Sequence, residues 1–220
     1  MKKSGYRGIT TRVKTAKGRK KSSTRWLQRQ LNDPYVALAK KANYRSRAAF
    51  KLIDLDEKFK FLRKGSKIID LGAAPGGWTQ VALERNGDNG KIIAVDLLPM
   101  DVSGCVFIQG DFLDPETSKK ILEEMPEKAD IVMSDMAHNT TGDKATDHLR
   151  IMALVEEAYH FALEHLAENG VFIAKVFQGG TEKTLLNDIK KHFKVVKHAK
   201  PESSRADSKE SYLVATGFKG

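Results

Sequence analysis

The stretch Asp70-Leu71-Gly72-Ala73-Ala74-Pro75-Gly76-Gly77-Trp78 decides how the rest of the chain is read. An apolar run, residues 67–71, precedes it, and a helix-like stretch, residues 77–86, follows. A strand therefore passes into a helix through a glycine-rich loop. After the first strand of a doubly wound sheet, such a loop lets a ligand approach the backbone closely. The spacing Gly72-x-Ala74-x-x-Gly77 nearly matches a dinucleotide fingerprint, but Ala74 takes the second glycine's place and Pro75 removes one backbone N–H. Both changes weaken a pyrophosphate nest and disfavour an NAD-dependent reductase.

Outward from this loop, strands are expected at residues 67–71, 91–96, 106–109, 129–135, 170–177, 193–198 and 211–218. Helices are expected at 77–86, 115–125, 147–168 and 182–191. Strands alternating with helices require parallel pairing through right-handed crossovers, hence an α/β, Rossmann-like sheet with helices on both faces. No helix separates the last two strands, so the seventh is expected to be antiparallel. Before the sheet, Pro34 opens a helix at 34–42, and Ser46 is placed as the N-cap of another running to about Phe61.

An adenosine ligand without phosphates suits the loop, and S-adenosylmethionine is one. Asp96 ends the second strand, 19 residues after Gly77. An acid there can accept both ribose hydroxyls. Asp111, after the third strand, is placed to accept from the adenine amino group. The cofactor set is read as Gly72, Ala74, Pro75, Gly76, Gly77, Trp78, Asp96, Leu97, Asp111, Phe112 and Asp135.

The chain has 220 residues and a net charge of +10, unevenly spread. Residues 1–51 carry sixteen lysines and arginines against one acid, Asp33; the remainder is mildly acidic. This asymmetry suits a phosphate backbone, and the leader has no amphipathic face of large apolar residues for a membrane. Residues 1–24 are too polar to order themselves, with Trp26, Leu27 and Leu31 as the first anchors. The chain divides into a flexible RNA-binding leader, 1–30, and one domain, 31–220. Bases from Lys2 to Lys21, then Arg25, Arg29, Lys40, Lys41, Arg45 and Arg47, form an expected phosphate track, to which Arg205 adds a contact. One cysteine, Cys105, excludes an internal disulfide, the longest apolar runs are too short for a membrane span, and no histidine spacing suggests a metal.

Seven segments in order carry a resemblance: Tyr44-Arg45-Ser46-Arg47-Ala48-Ala49-Phe50-Lys51-Leu52, residues 70–78, Val95-Asp96-Leu97-Leu98-Pro99-Met100, Gln109-Gly110-Asp111-Phe112, Met133-Ser134-Asp135-Met136-Ala137, Lys175-Val176-Phe177-Gln178-Gly179, and Ser203-Ser204-Arg205 with Glu210-Ser211-Tyr212. From about residue 30 to the C-terminus the chain resembles the FtsJ/RrmJ family, which are S-adenosylmethionine-dependent ribose 2′-O-methyltransferases of ribosomal RNA. The resemblance implies a methyltransferase acting on a uridine of 23S rRNA within the large subunit; a cytoplasmic location, from the composition and the single cysteine, and a monomer are also expected. It also implies a Lys-Asp-Lys-Glu tetrad on Lys51, Asp135, Lys175 and Glu210. A 2′-hydroxyl is a poor acid, so a base must take its proton, and a lysine serves only if its proton can be removed near neutral pH. Lys175, on an otherwise apolar strand, is the residue expected to do so. Alternatives are a tRNA or mRNA-cap ribose as substrate, or an inactive RNA-binding assembly factor. Two departures stand out: His138 where the family commonly has proline, and Ala49 where a bulky aromatic is frequent.

Overall fold

The computed structural model describes residues 11–13, 18, 21–138, 141–177 and 183–220. Seven helices and seven strands are present among them: α1 (Lys21–Leu31), α2 (Pro34–Lys41), α3 (Ala49–Phe59), β1 (Lys67–Leu71), α4 (Gly77–Asn86), β2 (Lys91–Asp96), β3 (Val106–Gln109), α5 (Pro115–Glu124), β4 (Ala129–Ser134), α6 (Lys144–His165), β5 (Leu166–Phe177), α7 (Lys183–His192), β6 (Phe193–Ala199) and β7 (Glu210–Phe218). One sheet holds the strands in the order β3-β2-β1-β4-β5-β7-β6. Pairing is parallel from β3 to β5, and β7 runs antiparallel to both β5 and β6. The mostly parallel, doubly covered α/β sheet expected from the sequence is the fold.

Successive side chains of a strand alternate between faces, so a buried sheet needs apolar residues on both. One face packs Ile69, Leu71, Phe172 and Leu213 against α5, α6 and α7, around the fully buried Tyr159. The other packs Ile68, Ile173, Tyr212 and Val214 against Leu52 and Leu55 of α3 and Trp78 and Val81 of α4. No helix among the described residues is long and apolar enough to cross a membrane.

Several boundaries move. Residues 21–24, expected to lack order, belong to α1. The N-cap of α3 is Ala48, not Ser46. Residues 46–48 form a tight turn whose carbonyls accept the N–H groups of 49–51. Ser46 Oγ is instead buried against α4 with no hydrogen-bond partner. α3 stops at Phe59 because Lys60 adopts a left-handed conformation, φ 54°. α6 starts three residues early, where the Asp143 carboxylate accepts the Thr146 N–H at 2.8 Å. β5 starts at Leu166, its pairing shifting register against β4 between Ala129 and Ile131. The Trp26 side chain, Asn139, Gln178, Gly179, Glu182 and the leader bases in 1–10, 14–17 and 19–20 lie outside the described residues.

Candidate active site

Register brings the chemistry together. Lys175 pairs with Tyr212 and Phe177 with Glu210 across β5 and β7, so Lys175, Tyr212 and Glu210 share the face covered by α3 and α4. Asp135 follows the last residue of β4, and β4 neighbours β5. From above, α3 lowers Lys51, only 7% exposed, onto this row.

Lys175 Nζ donates to Asp135 twice, at 2.7 Å to Oδ1 and at 2.7 Å to the backbone carbonyl. Lys51 Nζ donates to Glu210 Oε2 at 2.9 Å and stands 3.9 Å from Asp135 Oδ2. The single Asp135 carboxylate thus lies between two ammonium groups. Tyr212 OH donates to Asp135 Oδ1 at 2.5 Å, and Ser204 Oγ donates to Glu210 Oε1 at 2.8 Å. Burial pushes both carboxyls upward, but Lys175 and Lys51 beside Asp135, and Lys51 beside Glu210, outweigh it with the help of these hydrogen bonds. Both stay below the ordinary carboxylate range. Burial, with Asp135 and Glu210 adding, pushes the Tyr212 phenol far up, so it remains a donor. Trp78 sits beneath, its ring 5.5 Å from that of Tyr212 and its Nε1–H donating to the Ala48 carbonyl at 2.9 Å. Its 3% exposure makes it a wall under the tetrad, not part of an open ligand surface.

The glycine loop lies beside this cluster at the same end of the sheet. Its glycines answer to the protein's own packing. A Cβ on Gly72, where φ is +70°, would meet Met136 Cγ at 2.2 Å; on Gly76, Val102 Cγ2 at 2.4 Å; on Gly77, Ser46 Oγ at 2.4 Å. Pro75 is exposed at the tip. Asp96 accepts the Ala74 N–H on Oδ2 and the Leu98 N–H on Oδ1, both at 2.8 Å. Each oxygen keeps a second acceptor position, which matches a vicinal diol. Asp111 is exposed, with Oδ1 taking the Leu113 N–H at 3.1 Å. Phe112 is buried, its ring edge-on to Phe161 at 5.7 Å, so it is a core residue, and its backbone alone remains to meet a ligand. Leu97 is 66% exposed beside Asp96. This donor set fits an adenosine with a free ribose.

A family model for FtsJ-like methyltransferases matches residues 44–218. The chain belongs to that family. It is 58% identical to the ribosomal RNA large subunit methyltransferase E of Paramagnetospirillum magneticum, over 98% of this chain and 91% of that protein. It is 60% identical to the protein of the same name from Azorhizobium caulinodans, over 97% and 91%. A solved structure assigned to a ribosomal RNA methyltransferase of Plasmodium falciparum superposes with TM-score 0.72 at 37% identity, covering 80% of this chain and all of that one.

In this FtsJ-like methyltransferase the rim of the tetrad is an ion network that sequence reasoning missed. Asp33, besides capping α2, accepts Arg47 Nη1 at 2.7 Å and Arg205 Nε at 2.9 Å. Arg47 also donates to the Ser203 carbonyl, and Ser203 N–H donates to Asp54 at 2.8 Å. Arg47 is therefore a half-buried strut tying the α2–α3 turn to the β6–β7 loop, and Arg45 pairs with Asp101 at the surface. Arg47 is thereby withdrawn from a phosphate track, whereas Arg45 stays exposed. A cavity of about 250 Å³, lined by Arg29, Arg47, Lys51, Arg205 and Glu210, opens above the cluster. Tyr212 was legible in principle: two residues beyond Glu210 on one strand, it must share that residue's face. His138 is exposed, and Ala49 is fully buried at the start of α3.

Proposed function

We propose that the protein methylates the 2′-hydroxyl of a ribose, a uridine of 23S rRNA in the large ribosomal subunit, using S-adenosylmethionine. The names of its relatives point to the RNA, and the convergence of Lys51 and Lys175 on Asp135 beside the glycine loop carries the chemistry. When bound, S-adenosylmethionine supplies a methyl carbon activated by a sulfonium. Asp96 would hold its ribose, with Leu97 beside it and Asp111 near the adenine.

The chain's own residues handle the proton. Lys175 Nζ takes it from the 2′-hydroxyl and later releases it to water. In the amine form that a base requires, Nζ has two N–H donors and one lone pair; Asp135 engages both donors, so Nζ is fixed in place with its lone pair left for the proton of the sugar hydroxyl. Lys51, held by Glu210, puts a positive charge beside the oxygen as it becomes negative. Tyr212 locks the Asp135 carboxylate between them.

Methylation of large-subunit particles from cells lacking the enzyme, with labelled S-adenosylmethionine and mapping of 2′-O-methyl sites, tests the reading. One new 2′-O-methyl uridine is expected. Lys175→Ala should lower turnover by about 10²–10⁴-fold, with affinity for S-adenosylmethionine unchanged. A variant with full turnover would remove Lys175 as base.

A further inference from the structure

The segment at residues 11–13 is held through its backbone to Gln28 of α1 and to Asn32 just after it. Asn32 Oδ1 accepts the Thr11 N–H at 2.8 Å, and Gln28 Oε1 accepts the Val13 N–H at 3.1 Å. Gln28 Nε2 and Asn32 Nδ2 both donate to the Thr11 carbonyl, at 2.6 and 3.0 Å. Asn32 Nδ2 also donates to the Gln28 carbonyl at 2.7 Å, which fixes its amide. In an extended chain, the N–H and C=O of one residue and the N–H of the second residue on share an edge. A carboxamide carries the same donor and acceptor as a peptide bond. Gln28, in the last turn of α1, and Asn32, the residue that follows the helix, are held side by side by the Asn32–Gln28 bond and present the leader with a substitute strand edge. None of these bonds uses a side chain of residues 11–13.

The place of this grip matters. Gln28 and Asn32 line a cavity of about 440 Å³ together with Arg29, Arg205 and Asp207. Those last three residues also line the smaller cavity that reaches Lys51 and Glu210. The residues before Thr11 carry Lys2, Lys3 and Arg7 and no acid.

We infer that Gln28 and Asn32 form a two-amide clamp that fastens the basic leader at the opening above Lys51 and Glu210, joining leader and rim into one RNA-binding surface. This rests on the RNA reading above. An anchor at Thr11 instead of Lys21 shortens by ten residues the stretch of chain that links Lys2, Lys3 and Arg7 to the rim, and effective concentration falls as about the 3/2 power of such a length, roughly threefold for a doubling. Gln28 and Asn32 act through the leader, as positioning residues.

The test uses the full chain carrying Gln28→Ala with Asn32→Ala, alone and combined with Lys2→Ser, Lys3→Ser and Arg7→Ser. Without RNA, trypsin should cleave the clamp variant after the exposed Arg12 severalfold faster, with affinity for S-adenosylmethionine unchanged. With a large-subunit rRNA fragment as probe, Kd and KM should rise about threefold and kcat stay constant. In the neutralised background, loss of the clamp should cost no further affinity. An unchanged cleavage rate overturns the clamp. Undiminished affinity loss in the neutralised background overturns its action through the leader. The trypsin arm needs no RNA, so it stands even if no rRNA is methylated.

Discussion

At the scale of residues, Asp70 shows how much burial decides. It is fully buried on β1, where Thr79 Oγ1 donates to Oδ2 at 2.7 Å. Burial pushes its carboxyl up to about 7, against that hydrogen bond and with Asp135 and Asp96 adding. Below pH 4 the group is protonated in both folded and unfolded chains and leaves stability unchanged. Between pH 4 and 7 only the unfolded chain ionises, so stability falls, and above pH 7 the penalty is constant. Asp70→Asn, which mimics the neutral acid, should raise unfolding free energy by roughly 1–3 kcal/mol at pH 8 and by nothing at pH 4. Denaturant titrations at both pH values check this. The same scale marks the limit of sequence reading. The place of Asp96 against the glycine loop was legible from its position at a strand end in series with that loop, whereas the contact of Lys51 with Glu210 was legible only through resemblance. Nothing in a single sequence reveals that residues 159 apart touch.

At the scale of elements, the junction of α3 and α4 sets where Lys51 points. Gly77 opens α4 directly against Ser46, and Trp78 hydrogen-bonds the N-cap of α3. Gly77→Ala should cost about 1–3 kcal/mol by overpacking. Ser46→Ala removes both the obstructing oxygen and a buried group without a partner, so the double variant should recover most of that loss. Thermal unfolding of the two single variants and the pair decides it. The central strands and α4 were readable from period and punctuation. α1 was not, because lysine, serine and arginine fill its first turns, although Leu27 and Leu31 keep a helical spacing. The early start of β5 was hidden by Glu168-Asn169-Gly170, which looks like a turn, and Asn169 does take φ 65°.

At the scale of the whole molecule, sixteen bases in residues 1–51 face an otherwise acidic body. Affinity for rRNA should fall steeply with salt, and removing residues 1–20 should flatten the log–log slope by about 0.7–0.9 for each phosphate that those residues neutralise. Filter binding across a salt series measures it. The architecture itself was legible because strand–helix alternation leaves few topologies. The order of the final strands has a further consequence. β7 fills the slot between β5 and β6, and it brings Glu210 and Tyr212 with it. A polypeptide interrupted anywhere ahead of Glu210 leaves that slot vacant, strips Lys51 of its carboxylate partner and lays bare the rung on which Lys175 sits. Premature termination ahead of β7 should therefore yield inert protein instead of a weakened enzyme, with this one strand as the keystone.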